Sequence, residues 1–138
     1  MEALVRDGDA VVSLVADRDG AIVGHLLLSR MAASGDGRCY RAVGLAPLAV
    51  LPAAQRKGVG NALVRAALTR ASEMGEELVF VLGDPAYYTR FGFSAKCASP
   101  FASPYAGPHL MAVRLRDDLP LPSQGRADYA PAFAELDG

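Results

Sequence analysis

The largely apolar run from Val11 to Asp17 reads as a strand, with Val12, Leu14 and Ala16 on one face. Arg18-Asp19-Gly20 follows, and Asp-Gly supplies the positive φ that a tight hairpin turn needs. Ile22 to Arg30 is the returning strand, with Gly24 and His25 inside it. Ala32 to Arg38 is polar and glycine-bearing and reads as a loop. Tyr40 to Leu51 is a third strand, ended by Pro52, which cannot donate to a ladder. These three strands make an antiparallel meander. Pro47 falls in the middle of the third one. It lacks a ladder hydrogen bond, so either the strand bulges or parts from a neighbour there, or it lies at a sheet edge.

Beyond Pro52 the period lengthens. Val59, Leu63, Ala67, Ala71 and Met74 share one face at helical spacing, with Asn61, Arg65, Thr69 and Ser72 on the other. Gly75 suits the left-handed residue that ends such a helix. Leu78 to Leu82 is apolar without alternation, as in a parallel strand buried on both faces. Strand, helix and strand together predict a right-handed crossover. Asp84 can then cap a short helix whose first turn accommodates Pro85. That helix carries Ala86 to Phe91, Gly92 stops it, and Phe93 to Lys96 begins another strand. Ala98 to Pro108 reads as a loop with three prolines, and His109 to Leu115 as a final strand. Asp117 to Gly138 reads as a tail without an element of its own, which Tyr129 and Phe133 could anchor.

The 138 residues suffice for one domain with a core, and 51% hydrophobic against 21% charged residues makes it globular. Fourteen basic and 15 acidic residues give a net charge of −1, which argues against a nucleic-acid surface. No apolar run approaches the ~20 residues of a membrane span. Residues 1–9 carry Glu2, Arg6, Asp7 and Asp9 and do not resemble a signal peptide, so the expected location is cytoplasmic. Cys39 and Cys97 stand alone, and His25 and His109 lack ligand spacing, so no metal is expected.

The candidate chemistry lies in Gln55-Arg56-Lys57-Gly58-Val59-Gly60, between the third strand and the long helix. The first amides of a helix have no intrahelical acceptor, and the helix dipole adds partial positive charge. Two glycines let a phosphate approach the backbone, and Arg56 and Lys57 add full charge. The turn therefore looks built for a pyrophosphate; the plainer alternative is an ordinary strand-to-helix turn. The glycine spacing fits neither a Walker loop nor the dinucleotide fingerprint.

This turn resembles the Gln/Arg-x-x-Gly-x-Gly/Ala signature of the GNAT superfamily of acetyl-CoA-dependent N-acyltransferases. A second block, Asp84-Pro85-Ala86-Tyr87-Tyr88-Thr89-Arg90-Phe91-Gly92-Phe93, resembles the family's short helix with its aromatic-Tyr pair and following Gly-Phe. It is close to a bacterial subgroup of acetyltransferases in which Gly-Asp-Pro-x-Tyr-Tyr recurs. The resemblance covers roughly Val11 to Arg116.

It implies an α/β (α+β) fold with a mixed, mostly antiparallel twisted sheet, flanking helices and a splayed cofactor-binding strand pair. Residues 1–116 would form one acyltransferase domain and 117–138 a tail. Acetyl-CoA is the implied cosubstrate. Leu48, Ala49 and Val50 would hold its pantetheine arm, and Gln55, Arg56, Lys57, Gly58, Val59, Gly60 and Asn61 its pyrophosphate, with Asp84 in the same set. Tyr88 matches the family tyrosine that protonates the departing thiolate, and Tyr87 is expected to be structural. The acceptor would be a primary amine of a small molecule or a protein. The alternative is a non-catalytic acyl-CoA-binding module; a nucleotide binder is a weaker third reading.

Two departures matter. Tyr40 to Leu51 contains no Asp, Glu or His, so the carboxylate often used as general base is absent there; Asp84 and His25 are candidates, neither assigned. The resemblance also leads one to expect a strand and two helices before the hairpin, whereas only about ten residues precede the first strand here; either the start lies upstream, or the protein is shortened or divergent. Without that cover, exposed sheet surface would favour a homo-oligomer.

Overall fold

The computed structural model describes residues 10–52, 55, 58–104, 107, 109–116 and 118–129. Strand β1 (Ala10–Arg18) turns into β2 (Ala21–Gly35) through Asp19 and Gly20, at φ 54° and 84°. The Asp17 side chain accepts the Gly20 amide at 3.0 Å and fixes this turn. β2 is longer than expected. The segment read as a loop from Ala32 to Arg38 is the end of β2, a turn at Asp36-Gly37, and the start of β3 (Arg38–Val50). Its small polar residues carry little pattern. Pairing on both sides makes it a strand, with Ala33 opposite Tyr40 in β3 and Ala127 in β7.

Among the described residues, one mixed sheet of seven strands runs in the order β5-β7-β2-β3-β4-β6, with β1 also paired to β2. The remaining strands are β4 (Leu78–Leu82), β5 (Phe101–Ala102), β6 (Leu110–Arg114) and β7 (Gly125–Tyr129). β1 and β7 lie along the same edge of β2, opposite residues 21–29 and 31–35 respectively. Two pairs are parallel, β3 with β4 and β5 with β7; the others are antiparallel. Helix α1 (Val59–Glu73) connects β3 to β4.

Two sequence expectations give way here. The segment after Asp117, read as lacking an element, supplies β7. Ala127 of that strand is buried, and the strand's backbone pairs with β2 on one side and β5 on the other. The strand expected from Phe93 to Lys96 reduces to a bridge between Ser94 and Ala112. The Ser94 hydroxyl accepts the Cys97 amide at 3.0 Å and starts the short helix α3 (Ala95–Ala98) instead.

Alternate residues feed two apolar layers. Leu26, Leu28, Val43, Leu45, Val79 and Val81 pack with Leu63, Val64, Ala67 and Ala71 of α1. On the opposite face Met31, Ala33, Tyr40, Leu78 and Phe80 pack with Ala98, Phe101 and Leu119. β4 is thus buried on both faces until Leu82, in keeping with its unbroken apolar run. α1 ends before Gly75, whose φ is 82°, and Met74, expected on the buried face, is 40% exposed.

The turn from α1 to β4 is pinned electrostatically. The buried Glu76 carboxylate receives both nitrogens of the Arg30 fork, at 2.7 and 2.9 Å, and Arg41 at 2.9 Å.

Candidate functional site

β3 and β4 are paired only from Ala42 to Leu45 and from Leu78 to Val81. β3 then continues to Val50 on β2 alone. Leu28 faces Leu45 but Leu26 faces Leu48, so β3 carries one extra residue in this interval, which contains Pro47. The missing proline donor makes a bulge cheap at this position. Past it, β3 has no β4 partner, and the two strands part.

The parted end leads into the glycine turn. The Gln55 side chain donates to the Val50 carbonyl at 3.0 Å, tying the turn to the strand end. Gly58 is the N-cap of α1, at φ 84° and ψ 4°, a left-handed conformation that glycine adopts without a Cβ clash. Among the described residues no side chain caps this helix, and its first turn holds no acidic residue. The first amides and the positive end of the dipole therefore face the groove without an internal anion. Leu48, Val50, Gln55, Gly58, Gly60, Asn61, Tyr87 and Arg90 line this groove of about 540 Å³, within the usual range for small-ligand sites.

The facing wall is helix α2 (Pro85–Tyr88), continued by a 3₁₀ turn over Thr89–Phe91. Asp84 caps it, accepting the Ala86 amide at 3.0 Å. The Tyr87 hydroxyl lies 2.9 Å from where a Cβ on Gly60 would stand. The Tyr87 ring meets Tyr88 and Phe91 edge-on, with centroids 5.0 and 5.4 Å apart. The Arg90 guanidinium stacks over Tyr87, 4.8 Å from its centroid. Tyr88 is packed deeper, edge-on to Phe93 and against Gly83, where a Cβ would come within 2.7 Å of its ring. Burial raises the pKa of both phenols. The neighbouring Tyr87 adds to the rise at Tyr88, whereas Arg90 and Arg65 oppose it at Tyr87.

The expected site residues are distributed as follows. Leu48, Val50, Gln55, Gly58, Gly60 and Asn61 come together in the groove. Val59 turns towards Leu14, Ala16 and Leu63, lining a separate apolar depression. Ala49 is exposed and lies opposite His25 in the β2–β3 ladder. Asp84 serves as a helix cap, and Tyr88 is not among the described residues lining the groove. Arg56 and Lys57 lie outside the described residues. His25, one of the candidate bases, has its Nε2 3.5 Å from the Ser13 hydroxyl. Tyr87 and Arg90 line the groove although sequence reasoning gave neither a ligand role. Their i, i+3 spacing, which aligns side chains in a 3₁₀ turn, was the available signal.

Comparison with known proteins agrees with this geometry. The family model described as Acetyltransferase (GNAT) domain matches residues 9–95. "Uncharacterized N-acetyltransferase YjhQ" of Escherichia coli (strain K12) is 39% identical over 110 residues, 77% of this chain and 60% of that protein. "Uncharacterized N-acetyltransferase YhbS" of the same strain is 38% identical over 91 residues, 65% of this chain and 53% of that protein. The chain thus spans between about half and three fifths of these relatives' lengths. The crystal structure of the GNAT family N-acetyltransferase YhbS from Escherichia coli in complex with CoA matches with a TM-score of 0.81 and 32% identity, over 92% of this chain and 71% of that one. A GNAT family acetyltransferase from Brucella melitensis in complex with acetyl-CoA matches with a TM-score of 0.67 and 34% identity, over 88% of this chain and 68% of that one. A parted strand pair opening on an uncapped glycine turn, the two sequence blocks beside it, and these matches lead to one conclusion: the chain belongs to the GNAT acetyltransferase family.

Proposed function

We propose that the groove holds acetyl-CoA and that the protein transfers its acetyl group directly to a primary amine of a small molecule or a protein. The observation that carries this reading is the parting of β3 from β4 immediately before a glycine-led helix end without a side-chain cap. It offers an extended ligand unpaired strand amides, then a cluster of helix amides suited to phosphates. The CoA and acetyl-CoA complexes of YhbS and the Brucella protein support the same ligand here.

Bound acetyl-CoA supplies an activated thioester: an amine nitrogen bonds to its carbonyl carbon, the carbon–sulfur bond breaks, and the thiolate leaves. In this reading the backbone around Leu48, Ala49 and Val50 holds the pantetheine arm, and amides at the parted strand stabilise negative charge on the carbonyl oxygen. The turn from Gln55 to Asn61, Arg56 and Lys57 included, takes the diphosphate, and the Asp84 cap keeps the facing helix in place. Tyr88 donates its phenolic proton to the sulfur. A phenol, whose ordinary pKa is 10.0 and is raised here by burial, carries its proton at neutral pH and so has one to give. The proton lost by the amine passes to solvent water.

Thiol release from acetyl-CoA, measured over a panel of small amines and lysine peptides, tests the proposal. Amine-dependent release supports transfer. CoA binding without release over any acceptor would mark the non-catalytic acyl-CoA-binding module, and absence of CoA binding would refute both.

A further inference from the structure

We infer that Arg90 is a second phosphate-binding residue, set on the wall opposite the glycine turn and held in place by Tyr87, so that a diphosphate is gripped from both sides. This rests on the acetyl-CoA reading of the groove.

The argument is electrostatic and geometric. Two positive elements border one groove: the first turn of α1, free of acidic residues and without a side-chain cap, and the Arg90 guanidinium. No carboxylate is present among the described residues of the lining, and among the described residues Arg90 makes no ion pair. Left empty, the groove sets like charge against like; an anion between them satisfies both. Arg90 does not hang freely there. Its guanidinium stacks on Tyr87, whose ring is wedged edge-on against Tyr88 and Phe91. Stacking leaves the N–H groups around the guanidinium edge available to phosphate oxygens. The Tyr87 tip overhangs Gly60, the second residue of α1, so the Tyr87–Arg90 arm reaches over the helix amides. That position favours the diphosphate over the 3′-phosphate. Tyr87 acts through Arg90 and is a positioning residue.

Calorimetric titration with CoA, 3′-dephospho-CoA and pantetheine tests this. Arg90→Met should weaken CoA and 3′-dephospho-CoA by the same factor, about tenfold, the scale of one charge-assisted hydrogen bond. Pantetheine, which has no phosphate, should bind wild type and Arg90→Met alike. The loss should shrink in high salt. Adding Arg90→Met to Tyr87→Leu should cost little more, because the stack is already gone; adding it to Tyr87→Phe, which keeps the ring, should cost the full factor. A loss confined to CoA would assign Arg90 to the 3′-phosphate and overturn the proposal. Equal affinity of wild type and Arg90→Met for both diphosphates would make Arg90 an ordinary solvated side chain. Wild-type protein that binds neither diphosphate overturns the cosubstrate reading and this one together, so the two failures are distinguishable.

Discussion

Gly58 and Gly60 stand two residues apart and should answer to alanine in opposite ways. At Gly58 the backbone is left-handed, and a Cβ would meet nothing within 4 Å. Alanine there costs roughly 1–2 kcal/mol in backbone strain. A smaller entropy loss in the unfolded chain returns part of it, about 0.4–1 kcal/mol. The net should be near 1 kcal/mol, or a fall of about 3–6 °C in Tm for a domain of this size. Gly60 is helical, so alanine gains up to about 1 kcal/mol in propensity. Its Cβ, however, would lie 2.9 Å from the Tyr87 hydroxyl. Moving that ring off its rotamer costs about 0.5–1.5 kcal/mol, which roughly cancels the gain. Binding should show the reverse order. Gly60→Ala places a methyl group in the cradle and shifts the Tyr87–Arg90 wall, so CoA affinity should fall about tenfold, ~1.4 kcal/mol. Gly58→Ala should lose less affinity than that. Urea or thermal unfolding read beside CoA calorimetry gives both quantities. If both variants lost stability and affinity in parallel, the separate roles given to the two glycines would be wrong.

Three further outcomes are expected, the first of them resting on the proposed function. Tyr88→Phe should bind acetyl-CoA nearly as well as wild type but turn over roughly 10²-fold more slowly, recovering partly at lower pH; full turnover with a good acceptor would leave Tyr88 a packing residue only. Arg30→Met should destabilise by about 3 kcal/mol, more than Glu76→Leu, because it leaves a buried carboxylate with Arg41 alone, whereas the half-exposed arginines can turn to water; chemical denaturation giving the opposite order would refute this. Because the folded-state pKa values of Tyr87 and Tyr88 are raised above the ordinary 10.0, their contribution to stability is complete below pH 10 and is lost as pH rises through the folded values. Thermal melts from pH 9 to 11.5 should therefore show a steeper alkaline loss for wild type than for Tyr88→Phe, and identical slopes would contradict the burial of that phenol.

The segments legible in the sequence are those decided by neighbours in the chain. Leu78–Leu82 is found where its unbroken apolar run puts it, Asp84 caps the short helix ahead of Pro85, and Gly75 takes the left-handed turn after α1. Pro47 marked the place of the β3 irregularity, because the lack of an N–H is a property of the residue itself, but a bulge and a sheet edge were equally compatible with it until the β2–β3 register was seen. The glycine turn and the Tyr-Tyr helix are likewise compact motifs, which is why the family could be read from them. Tertiary structure decided the rest. Residues 32–35 and 125–129 are strands because each finds partners far along the chain, and the pairing energy belongs to both segments rather than to either. Ser94 could start a strand or cap a helix, and the bond to the Cys97 amide accompanies the second outcome. Tyr87 and Tyr88 are adjacent and alike in sequence. Only the packed fold, which sets the Tyr87 hydroxyl beside Gly60 and the Tyr88 ring against Gly83, tells the two apart and brings Tyr87 to the groove lining, because the direction of a side chain is fixed by the space its distant neighbours leave.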